Sequence, residues 1–173
     1  MALREQITDE GWYDLLQAPV FLSIAMSGAE HHGPIGSANE TTALVLSLED
    51  LVRETDEPAT GLKGEIAEDM RALLSKETDK EDRDAVLKPV GTRYKDVPPR
   101  EIAMGALARV TAAVAALSPD DTLGYREWLF RVASDVAEST TGGGLFKHRP
   151  RTSEAEEALL KDIESGLGLV EPA

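Results

Sequence analysis

The sequence has no cysteine, only three histidines among its 173 residues, and an aromatic content of 5%. The absence of cysteine excludes disulfide bonds, zinc–thiolate sites and thiol catalysis, and it is typical of a reducing compartment. The scarcity of histidine leaves few side chains suited to general base catalysis near neutral pH. We therefore expect a cytoplasmic protein without a cysteine-dependent activity.

The sequence also lacks a long hydrophobic run. The longest, residues 102–117 (IAMGALARVTAAVAAL), is shorter than a membrane-spanning helix requires and contains Arg109. The first ten residues mix both signs of charge and contain no apolar segment of the kind found in signal peptides. These features predict a soluble protein with no membrane partner.

Basic residues are the third deficit, with 18 Lys and Arg against 32 Asp and Glu, giving a formal net charge of −14. A charge of this sign repels phosphate backbones, so we expect no nucleic-acid partner. The acidic residues are spread along the chain, which favours a role in solubility. Adaptation to a salty cytoplasm and a basic protein partner both stay open as explanations.

Helix starts are marked by a Ser or Thr that is followed three residues later by an acidic residue. No sustained alternation of apolar and polar residues indicates a strand. The sequence therefore predicts an all-α fold, a single-domain helical bundle of five to seven helices over residues 1–173. The four start signals are Ser37 with Glu40, Thr78 with Glu81, Ser118 with Asp121, and Ser153 with Glu156.

Apolar residues recur at helical spacing after these signals, so each predicted helix has one buried face. The segment 98–117 is rich in alanine and apolar nearly all round, and we predict that it is the central helix, antiparallel to residues 119–139. The clearest stripes are Leu62, Ile66, Met70 and Leu73; Tyr125, Trp128, Leu129, Val132 and Val136; and Leu159, Ile163 and Leu167.

Two segments are predicted to interrupt the helices. Pro19 lies within an apolar N-terminal segment and should kink or split the helix there, because proline has no backbone N–H. Residues 75–99 combine many charges with Gly91 and three prolines, which indicates a charged, less ordered connector.

The C-terminal part carries a resemblance. In residues 127–163 (EWLFRVASDVAESTTGGGLFKHRPRTSEAEEALLKDI), a Trp-containing helix, a glycine-rich turn and a Ser-capped final helix follow one another. This arrangement resembles the C-terminal part of a group of uncharacterised bacterial all-helical proteins. Residues 33–40 (GPIGSANE) are similar to a second segment of the same proteins. The resemblance implies a bacterial helical protein and no particular activity.

Two adjacent histidines form the first candidate site. Glu30, His31 and His32 are suitable ligands for zinc, nickel or iron, although adjacent residues on a regular helix point in different directions. Gly28 and Gly33 are instead predicted to end the first helix, and Pro34 prevents its continuation. We expect a corner between helices here, with no functional metal and no cofactor.

A glycine-rich basic loop at residues 142–151 is the second candidate. Flexible backbone N–H groups, positive charge and the start of the final helix are the components of an anion-binding site. The alternative is that the basic side chains neutralise carboxylates elsewhere on the protein. The four candidate anion-binding residues are Lys147, His148, Arg149 and Arg151.

Arg109 is the charged residue in the most apolar predicted helix. A buried guanidinium without a partner is costly, so we predict an internal ion pair, with recognition of a ligand carboxylate as the alternative. Adjacent acids such as Glu68 and Asp69 lie in highly charged segments, which favours a solvated helix face over an acid/base pair.

The sequence contains no HExxH, GxSxG or P-loop motif. We therefore favour a non-enzymatic helical interaction module that forms a homodimer or binds another protein. The alternative is a small-molecule or metal-binding protein, with enzymatic activity not excluded, whose site combines His31 and His32 with the loop from Gly142 to Arg151.

Overall fold

A computed structural model describes residues 2–30, 61–75, 96–140 and 152–170, and every regular element in these ranges is helical. The predicted all-α fold is therefore confirmed. In the described part of the chain, a short 3-10 helix (Leu3–Gln6) precedes five α-helices. These are α1 (Asp9–Glu30), α2 (Gly61–Leu74), α3 (Pro99–Ala113), α4 (Pro119–Thr140) and α5 (Glu154–Gly166).

The helix at the centre of the described bundle is α1. It contacts each of the other four helices, and every residue from Ala18 to Met26 is buried. The prediction of a central helix at 98–117 is corrected in this respect, because α3 ends at Ala113 and leaves Ala108 and Ala112 exposed. Alanine is compatible with both a buried and a solvent-exposed helix face. The prediction from composition therefore assigned too many residues of this segment to the core.

The third helix, α3, packs between α1 and α5. Asp14 of α1 pairs with Arg109 of α3, and Gly11 lies against Ala113, so these two helices run antiparallel. On its other side α3 packs against α5, where a Cβ atom added to Gly166 would lie 2.6 Å from Leu107 Cδ1. Glycine at this position permits the close approach of the two helices.

The predicted antiparallel pair of residues 98–117 and 119–139 is not the main packing contact. Within the described ranges, α3 and α4 each pack extensively against α1 and make little contact with one another. The chain between them turns at residues 114–118, and the Leu117 N–H donates to the Val114 carbonyl at 3.0 Å. The large apolar surface of α1 therefore decides the packing of both helices.

The sequence predicts a kink or a split at Pro19, and the first helix continues through this residue without a split. Proline cannot donate to the carbonyl of Leu15 one turn earlier, and that carbonyl instead accepts a hydrogen bond from the Tyr125 hydroxyl at 2.6 Å. One turn later, the Ser23 hydroxyl donates to the Pro19 carbonyl at 2.8 Å. A side chain of α4 thus replaces the backbone hydrogen bond that proline removes from α1.

The predicted apolar stripes form the core, and only Leu73 among them is partly exposed. The capping box at the start of α5 is also confirmed, since the Ser153 hydroxyl accepts from the Glu156 N–H at 3.2 Å. In return, the Glu156 carboxylate accepts from the Ser153 N–H at 2.7 Å. Ser118 caps α4 by accepting from the Asp121 N–H at 3.2 Å.

Several sequence predictions fall outside the described ranges. They concern the helix starts at Ser37 and Thr78 and most of the connector at 75–99. Gly28 does not end the first helix, since it is a buried position inside α1 and the helix continues to Glu30, while Gly33 and Pro34 lie outside the described residues. Ala29 and Glu30 both favour helical structure, which is consistent with this extension.

No helix in the described part of the chain combines the length and apolar character needed to cross a lipid bilayer.

Candidate functional site

The two candidate sites found in the sequence lie outside the described residues. This applies to His31 and His32, to the Glu30 side chain at the end of α1, and to the basic loop with Lys147, His148, Arg149 and Arg151. The metal and anion sites therefore stay predictions. Within the described ranges, no group of three or more His, Cys, Asp or Glu side chains is arranged to hold a metal ion.

A polar cluster does occur where α1, α3 and α4 meet. It consists of Asp14 on α1, Arg109 on α3 and Tyr125 on α4, and it is called the α1–α3–α4 junction below. Glu10 lies one turn before Asp14, and its charge acts on the Asp14 carboxyl. The sequence predicted an ion pair for Arg109, but it indicated neither Asp14 as the partner nor the nearby Tyr125.

Arg109 connects α3 to α1 through two contacts. Its Nε atom lies 3.2 Å from Asp14 Oδ1, and its guanidinium carbon lies 4.8 Å from the centre of the Phe21 ring. The side chains of Arg109 and Asp14 are 36% and 22% exposed, so the pair lies at the edge of the core. The predicted ion pair of Arg109 is confirmed, but it lies at the edge of the core and not in its interior.

Partial burial dominates the electrostatics of Asp14. It raises the pKa of the Asp14 carboxyl above its ordinary value of 3.8, while Arg109 acts to lower it and Glu10 to raise it. Burial also raises the pKa of the Tyr125 hydroxyl well above its ordinary value, and the charge of Asp14 adds to this effect. Tyr125 is therefore a neutral hydrogen-bond donor at physiological pH, as its bond to the Leu15 carbonyl requires.

A second set of polar contacts fastens α2 to the start of the chain. The Trp12 indole donates to Asp69 Oδ2 at 2.8 Å, and the Glu65 carboxylate accepts from the N–H groups of Leu3 and Arg4, each at 2.9 Å. Arg4 also lies over the Trp12 ring. Asp69 is exposed, as predicted for a solvated face, but it also has a structural partner.

The polar contacts described above join one helix to another and so stabilise the fold. The Asp14 carboxylate is paired with the Arg109 guanidinium, and the Tyr125 hydroxyl donates its hydrogen bond to the Leu15 carbonyl. General acid/base catalysis requires a titratable group within reach of a reacting atom. The α1–α3–α4 junction is therefore better suited to stabilising the bundle than to proton transfer.

One surface of the described bundle differs from the rest in charge. The exposed side of the last two turns of α3 and of the turn that follows is called the α3 outer face below. No exposed residue on it is ionisable, and the Thr111 hydroxyl donates back to the Leu107 carbonyl at 2.9 Å. The residues of the α3 outer face are Ala108, Thr111, Ala112, Ala115 and Ala116.

The exposed sides of α4 and α5 are charged. On α5, the exposed positions include Glu154, Glu157 and Lys161. The α3 outer face is thus an uncharged area on a strongly acidic protein. In the sequence this area is visible as an alanine-rich segment. We predicted from its composition that the segment would be buried in the core. The charged exposed positions of α4 include Asp120, Asp121, Glu127, Arg131 and Glu138.

Comparison of the chain with protein-family models, with curated proteins and with solved structures finds no match. The resemblance of residues 127–163 to uncharacterised bacterial helical proteins therefore stays a prediction.

Proposed function

We propose that this chain is a non-enzymatic helical module that acts by association and forms a homodimer through the α3 outer face. The observation that carries the proposal is the absence of charge on Ala108, Thr111, Ala112, Ala115 and Ala116, all of them exposed, in a chain of net charge −14. Small side chains also allow the backbones of two packed helices to approach closely.

Charge is the reason for choosing a second copy of this chain as the partner. Two molecules of charge −14 repel one another, and the repulsion is strongest where carboxylates face carboxylates. An approach through the exposed sides of α4 or α5 would bring acidic residues together. An approach through the α3 outer face avoids this cost, and two-fold dimers are the commonest assemblies of identical chains.

The use of polar groups inside the core and at its edge supports a non-enzymatic role. Asp14 pairs with Arg109, the Tyr125 hydroxyl donates to the Leu15 carbonyl, and the Ser23 hydroxyl donates to the Pro19 carbonyl. These groups stabilise the position of one helix against others. The ion pair also fixes α3, which carries the proposed docking surface, against α1.

The proposed setting is the cytoplasm of a bacterium. The absence of cysteine supports a reducing compartment, and the acidic composition opposes binding to nucleic acid. We accordingly propose a protein partner, in the form of a second copy, and no cofactor.

Sedimentation velocity of the purified wild-type chain tests self-association. Raising the ionic strength from about 0.01 M to about 1 M shortens the Debye length from about 30 Å to about 3 Å, which screens the repulsion between two acidic molecules. We expect a monomer–dimer equilibrium that shifts toward dimer as salt is added. A monomer at high protein concentration in both buffers would contradict the proposed function.

A further inference from the structure

We draw no further inference here: the strongest candidate, the buried indole N–H of Trp128 in α4, is a single donor without an acceptor, and nothing in the part of the chain that the structure describes shows what ligand it would take.

Discussion

The hydrogen bond from Tyr125 to Leu15 solves a problem that Pro19 creates in the middle of the core. A buried carbonyl without a donor costs about 1–3 kcal/mol, and Leu15 is fully buried. The bond joins residues 110 positions apart, so it ties α1 to α4 as well as completing the helix. The carbonyl that Pro19 leaves without a partner in α1 therefore forms a hydrogen bond to α4.

Tyr125→Phe tests this account together with Pro19→Ala. The first change removes the hydroxyl donor, and we expect it to reduce the free energy of unfolding by about 1–3 kcal/mol. The second change supplies the missing backbone N–H to the Leu15 carbonyl. In the Pro19→Ala background, the Tyr125→Phe change should therefore cost at least about 1 kcal/mol less.

Urea unfolding of the four proteins of this cycle gives the coupling directly. Equal costs of Tyr125→Phe in both backgrounds would show that the hydroxyl does not replace the helix bond. Far-UV circular dichroism of each variant checks that the helical content is preserved.

The raised pKa of Asp14 predicts how the stability of the protein depends on pH. Its pKa is raised in the folded protein above the ordinary value of 3.8, so the folded state holds the proton more tightly than the unfolded state does. The contribution of Asp14 to stability therefore falls as pH rises from 3.8 through the folded-state pKa, and it is constant above that pKa.

Asp14→Asn removes this titration. We expect the free energy of unfolding of the wild type, minus that of Asp14→Asn, to decrease as pH is raised through this window. Urea unfolding of both proteins at a series of acidic pH values measures the difference, in which the carboxyls that do not interact with Asp14 cancel. A difference that increases with pH would mean that pairing with Arg109 outweighs burial.

Residue chemistry explains which of these contacts was predictable. Arg109 was expected to have a partner because a guanidinium in an apolar helix is costly alone. Its partner Asp14 could not be identified, because many carboxylates in this acidic chain are equally plausible from sequence. The role of Tyr125 was equally hidden, since its stripe predicts burial but not the atom that its hydroxyl meets.

At the scale of single helices, local signals were the most reliable. The box formed by Ser153 and Glu156 depends only on residues three positions apart, and the buried stripe of α5 depends only on helical periodicity. Position within the bundle depends on which apolar surfaces meet. That is why α1, with buried residues on all sides around Pro19, was not recognised as the central helix.

Ser153→Ala tests the contribution of the cap to α5. The hydroxyl accepts from the Glu156 N–H, so its loss should reduce stability by about 1 kcal/mol. Ser165→Ala, at an exposed position in the same helix, is the matched control and should be nearly neutral. Thermal and urea unfolding compare the two, and equal effects would mean that the cap contributes nothing specific.

Val110→Asp tests the orientation of α3. Val110 is 2% exposed, so the new carboxylate would be buried without a partner, and we expect the domain to unfold. Thr111→Asp places the same side chain one residue later on the exposed side, and it should leave the protein folded. Circular dichroism with thermal melting distinguishes them. Wild-type stability of Val110→Asp would mean that the wrong side of α3 has been assigned to the core.

At the scale of the whole molecule, charge is the dominant feature. A net charge of −14 favours solubility and opposes association, except through a surface without carboxylates. The composition predicted the charge but not its distribution, because exposure depends on how the helices pack. In the described part of the chain, α3 packs against α1 and α5 with its other sides, and its exposed alanines form an uncharged area.

If two copies associate through the α3 outer face, a carboxylate placed on that face should weaken the dimer, and two identical substitutions test this. Ala112→Glu puts a carboxylate on this face, whereas Ala158→Glu puts one on the exposed, already charged side of α5. Both positions are exposed, so neither change buries the new carboxylate, and circular dichroism checks that both variants are folded.

Sedimentation equilibrium at high salt measures the dimer dissociation constant of the wild type and of both variants. We expect Ala158→Glu to dimerise like the wild type and Ala112→Glu to dissociate at least about tenfold more readily, which corresponds to about 1.4 kcal/mol. Equal dissociation constants for the two variants, with both proteins folded, would contradict the claim that the α3 outer face is the dimer interface.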